Sequence, residues 1–100
     1  MKNTTNTDNN TSILLSNGRR VHREFFNYVR DVITVRTPSL FPNTTYELKQ
    51  IFGDYFWDFF DNGERSRAGK CMVYLVEKGT LPFISVNICR HQSPKKYQLK

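Results

Sequence analysis

The segment "DNGERSRAGKCMVYLVEKG", residues 61–79, carries its own start and stop signals. Asp61 and Glu64 stand in the spacing of a capping box, where each side chain satisfies a backbone N–H of the other's turn. Gly79 stands where a helix ends in a left-handed residue. Between them the sequence predicts a helix over 64–78, roughly 22 Å long. Ala68, Met72, Leu75 and Val76 form its apolar stripe, while Arg65, Arg67 and Lys70 crowd its first half. A helix of this kind buries its body in a core and turns its first turns toward a polyanion. The remaining chain has to supply that core.

The stretch "RRVHREFFNYVRDVITVR", residues 19–36, reads as an amphipathic helix, with Val21, Phe25, Tyr28, Val29, Val32 and Ile33 at spacings of three and four. Pro38 and Pro42 in "TPSLFPN" break it. Thr44 and Glu47 stand in capping-box spacing, so a short helix is expected to run to Phe52 and stop near Gly53. Tyr46 alternatively ends a brief extended segment leading into that helix. Asp54 is suited to cap a second short turn that buries Phe56, Trp57 and Phe60 in some combination. "TLPFISVNICR" has strand composition, "HQSPKK" is a basic turn, and "YQLK" is its returning strand. Residues 1–18 are read as a disordered Asn/Thr-rich leader with one apolar patch, Ile13-Leu14-Leu15. Residues 19–100 then form a single α+β domain.

The net charge is +6, and its distribution matters more than its size. Residues 1–62 hold seven basic and seven acidic side chains. Residues 63–100 hold eight basic residues (Arg65, Arg67, Lys70, Lys78, Arg90, Lys95, Lys96, Lys100) against Glu64 and Glu77. All of the excess positive charge therefore falls in one part of the chain, the pattern expected of a nucleic-acid binder. No run of eighteen apolar residues exists to span a membrane. The N-terminus lacks the apolar stretch of a secretion signal, so a cytoplasmic location is expected, with Cys71 and Cys89 as thiols. Cys71, Cys89, His91 and His22 lack the paired spacing of a metal site. No nucleophile elbow or phosphate-cradling glycine loop occurs. No enzymatic activity, cofactor or small-molecule ligand is expected.

The element order (helix, short extended lead-in, short helix, turn, longer helix, glycine, β-hairpin) resembles a winged helix-turn-helix domain. "LVEKGTLPFISVNICRHQSPKKYQLK" resembles the recognition helix and β wing that end such domains, and "YELKQIF" the opening of the preceding helix. Trp57, Arg65, Gly69, Val76, Gly79 and Tyr97 are similarly placed in a group of short phage and bacterial proteins. The resemblance covers residues 44–100. It implies a small winged helix of three or four helices plus a C-terminal β-hairpin. The chain departs from that pattern in "GDYFWDFFDNG", which is bulky where a short turn is usual. Asp54, Asp58 and Asp61 there must point away from a phosphate backbone, or the surface does not bind DNA.

The resemblance implies a sequence-specific binder of double-stranded DNA, a small transcriptional regulator of phage or mobile-element origin. Helix 64–78 would enter the major groove, with Arg65 and Arg67 suited to guanine and Ser66 and Lys70 to bases or phosphates. The wing, with Arg90, His91, Gln92, Ser93, Lys95 and Lys96, would lie on the backbone or minor groove. A phosphate is expected at the helix start. Gly69 is expected to allow close approach of another backbone. Helix 19–36 is the expected dimerisation element. The same residues have structural alternatives. Arg65 can pair with the acidic 54–61 segment, Arg67 and Lys70 can be plain solvated charges, and Lys95 and Lys96 can protect a sheet edge. The competing function is a protein-interaction module on the same scaffold, as in phage-encoded inhibitors of host factors. A DNA binder should gather Arg65, Arg67, Lys70, Lys95 and Lys96 on one face. An interaction module should expose part of the Phe52–Phe60 aromatic group. RNA binding through exposed aromatics is the third reading.

Overall fold

The computed structural model describes residues 11–86 and 94–100. The best-signalled helix, α4, spans Asn62–Glu77. Its capping box is complete: Asp61 Oδ1 accepts from the Glu64 N–H at 2.8 Å, and Glu64 Oε1 accepts from the Asp61 N–H at 2.9 Å. At the other end Gly79 has φ +70°. The Thr80 N–H reaches the Leu75 carbonyl and the Gly79 N–H the Val76 carbonyl, both at 3.1 Å. These two bonds satisfy carbonyls the helix leaves open. The buried face is Ala68, Cys71, Met72 and Leu75. Cys71 replaces Val76 in the expected stripe, because those four positions share one narrow arc and Val76 falls at its edge.

The N-terminal boundary differs from the expected one. β1 (Ser12–Leu14) and β2 (Arg20–His22) pair antiparallel, with Ile13 opposite Val21. Residues 11–18, expected to be disordered leader, belong to the folded domain; residues 1–10 lie outside the described residues. The cause is local. Asn17-Gly18 is a strong turn dipeptide, Gly18 sits at φ +84°, and the Leu15 N–H bonds the Arg19 carbonyl at 2.8 Å. Leu15 and Val21 are buried, whereas Arg20 and His22 point outward, which is strand periodicity. Helix α1 therefore starts at Arg23 rather than Arg19 and runs to Arg36, with the His22 ring nitrogen accepting from the Glu24 N–H.

A single 3-10 turn, Thr37–Ser39, follows α1 at Pro38. β3 covers Thr45–Glu47 and α2 covers Leu48–Phe52. The extended alternative for Tyr46 is thus the one adopted. The capping box is Glu47 with Gln50, one turn later than Thr44 with Glu47, because β3 is held extended by pairing with residues 96–98 of the last strand. At Gly53 φ is +88°, and a Cβ there would lie 3.1 Å from the Arg36 guanidinium. That guanidinium closes the end of α2 by donating to the Ile51 carbonyl at 3.3 Å. α3 follows at Asp54–Trp57; Asp54 sits in its first turn and does not cap it.

β4 (Phe83–Ser85) and β5 (Lys96–Leu99) form the expected C-terminal hairpin, with Phe83 opposite Leu99 and Ser85 opposite Tyr97. β3 adds to the other edge of β5, so the sheet order is β3-β5-β4. Phe83 and Tyr97 point from this sheet into the core. Phe52 is fully buried at the meeting of α1, α2 and α3, with the rings of Tyr28, Phe56, Trp57 and Phe60 at 5.3–6.3 Å. Helix α1 spends Phe26, Val29, Val32 and Ile33 on this core. The surplus apolar stripe that suggested dimerisation is therefore absent from α1; Val35 and part of Tyr28 are its large exposed apolar groups.

Candidate nucleic-acid interface

Because α4 buries Ala68, Cys71, Met72 and Leu75, its outward arc is fixed. Ser66 and Lys70 form the ridge of that arc, and the Lys70 ammonium donates to Ser66 Oγ at 2.8 Å. Arg65, Gly69 and Val73 form the edge facing the sheet. There they line a cleft of about 550 Å³ together with Trp57, Lys95 and Tyr97. Gly63 and Arg67 form the other edge, facing the N-terminal hairpin. That groove, of about 260 Å³, holds Arg19 and Arg20. Ser66 and Lys70 line both. A third hollow joins the hairpin turn at Ser16 and Asn17 to Lys70, Glu77 and Lys95. One surface thus carries Arg19, Arg20, Arg67, Lys70 and Lys95, and Glu47 and Glu77 line two of the same hollows.

The residues expected to bind DNA have different fates. Arg67, Lys70 and Lys95 lie on this surface, and the Arg67 guanidinium stands 5.6 Å from the Phe25 ring centre. Arg65 faces the same cleft from a packed position. Its Nη2 donates to the Trp57 carbonyl at 3.4 Å and lies 3.9 Å from Asp58, and its guanidinium is 5.7 Å from the Trp57 ring centre. Arg65 therefore takes its structural alternative, holding α3 against α4. Lys96 Nζ is 3.3 Å from Glu47 Oε2, a cross-strand pair fixed by the β3–β5 register. Arg90, His91, Gln92 and Ser93 lie outside the described residues.

Of the three acids in the 54–61 segment, Asp54 is exposed in the first turn of α3, Asp58 faces Arg65 and Asp61 caps α4. That has a cost for the expected phosphate at the helix start. Asp61 and Glu64 already occupy those N–H groups with negative charge, so the helix start does not offer them to a phosphate, and Arg67 and Lys70 are the cations further along the outward arc. Gly69 also differs from expectation. A Cβ there would meet no protein atom within 4 Å, so no internal contact demands glycine. Gly69→Ala is expected to stabilise the fold by about 0.5–1 kcal/mol, seen as a melting midpoint raised by a few degrees. A lowered midpoint would mean that the cleft closes on the added methyl.

Arg19 and Arg20 were not among the expected site residues. They read as the first turn of a longer helix, and Asn17-Gly18 was the signal that separates them from it. A second surface also stands out. Tyr55 and Phe59 are 72% and 71% exposed, with ring centres 5.3 Å apart, and share a shallow hollow with Asp58.

Cys71 is fully buried, and burial pushes its thiol up to about 11, so near neutral pH it is an uncharged core side chain. Cys89 and His91 lie outside the described residues. Among the described residues no three His, Cys, Asp or Glu side chains gather for a metal, and no helix is long and apolar enough to cross a membrane. Comparison of the chain with protein-family models, curated proteins and solved structures finds no match.

Proposed function

We propose that this protein binds double-stranded DNA through the outward face of α4, as a small winged-helix regulator of phage or mobile-element type. The observation that carries the reading is the placement of Arg67, Lys70 and Lys95 on one surface, with Asp58 and Asp61 engaged elsewhere. The connectivity supports it too. A strand between the first two larger helices pairs with the last strand of a hairpin that follows the longest helix, in the order β3-β5-β4. In this reading Ser66 and Lys70 lead into the major groove, and Arg67 contacts its flank. Lys95, at the base of the C-terminal hairpin, takes a neighbouring phosphate. Arg65 positions the helix rather than touching bases.

The test is anisotropy of a fluorescent random-sequence duplex over a salt series. Binding should weaken with a log–log slope of roughly −4 to −5, corresponding to about four to six phosphate contacts. Absence of binding at low salt would remove the proposal. A second reading, docking of a protein partner, is favoured by the exposed Tyr55–Phe59 pair. Under that reading Tyr55→Ser/Phe59→Ser abolishes capture of the partner, while the DNA salt slope stays as it was.

A further inference from the structure

We infer that the N-terminal β1–β2 hairpin is a second phosphate-binding arm, its Arg19 and Arg20 gripping a DNA strand beside the Gly63–Arg67 edge of α4. This rests on the DNA-binding reading of the α4 face. Its ligand is the phosphodiester backbone of the second strand of the duplex.

The groove between hairpin and α4 is lined by four cations, Arg19, Arg20, Arg67 and Lys70, and by no carboxylate. A groove built only to join the hairpin to the helix would be expected to pair some of these charges, since gathered like charges oppose folding. The hairpin is also anchored rather than draped. Leu15 and Val21 are buried, Ser16 Oγ donates to the Glu77 carboxylate at the far end of α4, and Arg20 Nη1 donates to Ser12 Oγ at 3.1 Å. The hairpin backbone and the Arg20 side chain are therefore held in place before any ligand arrives, which lowers the ordering cost of binding.

The helix geometry says which phosphates they meet. Gly63 and Arg67 lie on one edge of the outward arc of α4, and Arg65, Gly69 and Val73 on the other. Along the first half of α4, Arg19 and Arg20 flank the first edge and Lys95 the second; further along, the hairpin turn at Ser16 and Asn17 meets Lys95. A helix seated in a B-form major groove, about 12 Å wide, has a phosphate strand along each side. Cations on both flanks of α4 match two strands, where a one-sided patch would match one.

The test compares wild type with Arg19→Ala/Arg20→Ala and Arg19→Lys/Arg20→Lys on the same duplex over the same salt series, with far-UV circular dichroism as the folding control. The alanine pair should flatten the log–log slope by about 1.8, two contacts' worth, and weaken binding roughly 60-fold near 0.1 M salt. The lysine pair should keep the wild-type slope, because it keeps the charge. Steep wild-type binding with an unchanged slope in the alanine pair overturns the arm and leaves the α4 reading standing. A lysine pair as flat as the alanine pair also overturns it, since the effect would then come from the Arg20–Ser12 bond. No wild-type binding overturns both.

Discussion

Phe52→Ala is expected to lower stability by about 3–5 kcal/mol. Phe52 has no exposed surface and touches the rings of Tyr28, Phe56, Trp57 and Phe60. Those rings come from α1, from α3 and from the turn before α4, so no single element can collapse into the space left behind. A domain of this size has about 5–15 kcal/mol in total, so much of its margin would go. The melting midpoint should fall by at least about 12 °C. Phe59→Ala is the control. With its ring 71% exposed, it should change stability by no more than about 0.5 kcal/mol. Equal losses in the two variants would contradict the placement of the aromatic core.

The second large effect concerns binding. Arg67→Ala/Lys70→Ala/Lys95→Ala should weaken duplex affinity roughly 100- to 1000-fold near 0.1 M salt and remove about 2.7 from the salt slope. All three side chains line hollows on the outward face of α4, and none is a buried core residue. The variant should therefore melt close to wild type. Lys96→Ala should leave the slope nearly unchanged, because its ammonium already faces Glu47 across the β3–β5 pair. A loss from Lys96→Ala as large as from the triple variant would mean that general charge, and not this face, governs binding.

Much of this arrangement was legible in the chain. The ends of α4 were written locally, in Asp61, Glu64 and Gly79, and local signals survive folding unchanged. The same holds for the β4–β5 hairpin and for the inward half of the aromatic segment, Phe52, Phe56, Trp57 and Phe60, whereas Tyr55 and Phe59 face out. Where two local signals overlapped, tertiary contacts decided. Thr44–Glu47 and Glu47–Gln50 both have capping-box spacing, and pairing of β3 with β5 selected the second. Arg20-Val21-His22 fits a helix as well as a strand until Ile13 is brought opposite Val21. Spacing also cannot show which way a long side chain turns: Arg65 and Arg67 each stand over a ring, and the Trp57 carbonyl and Asp58 contacts of Arg65 separate them. Charge counted along the sequence misled in the same manner. Residues 1–62 balance to zero, yet folding moves Arg19 and Arg20 beside α4.

The most direct measurement is a backbone amide NMR map of the protein with a random-sequence duplex added at low salt. Shifts are expected to concentrate at residues 16–21, 63–73 and 95, with residues 55–59 nearly still. Shifts centred on 55–59, or none at saturating duplex, would contradict the claim that the outward face of α4 carries DNA.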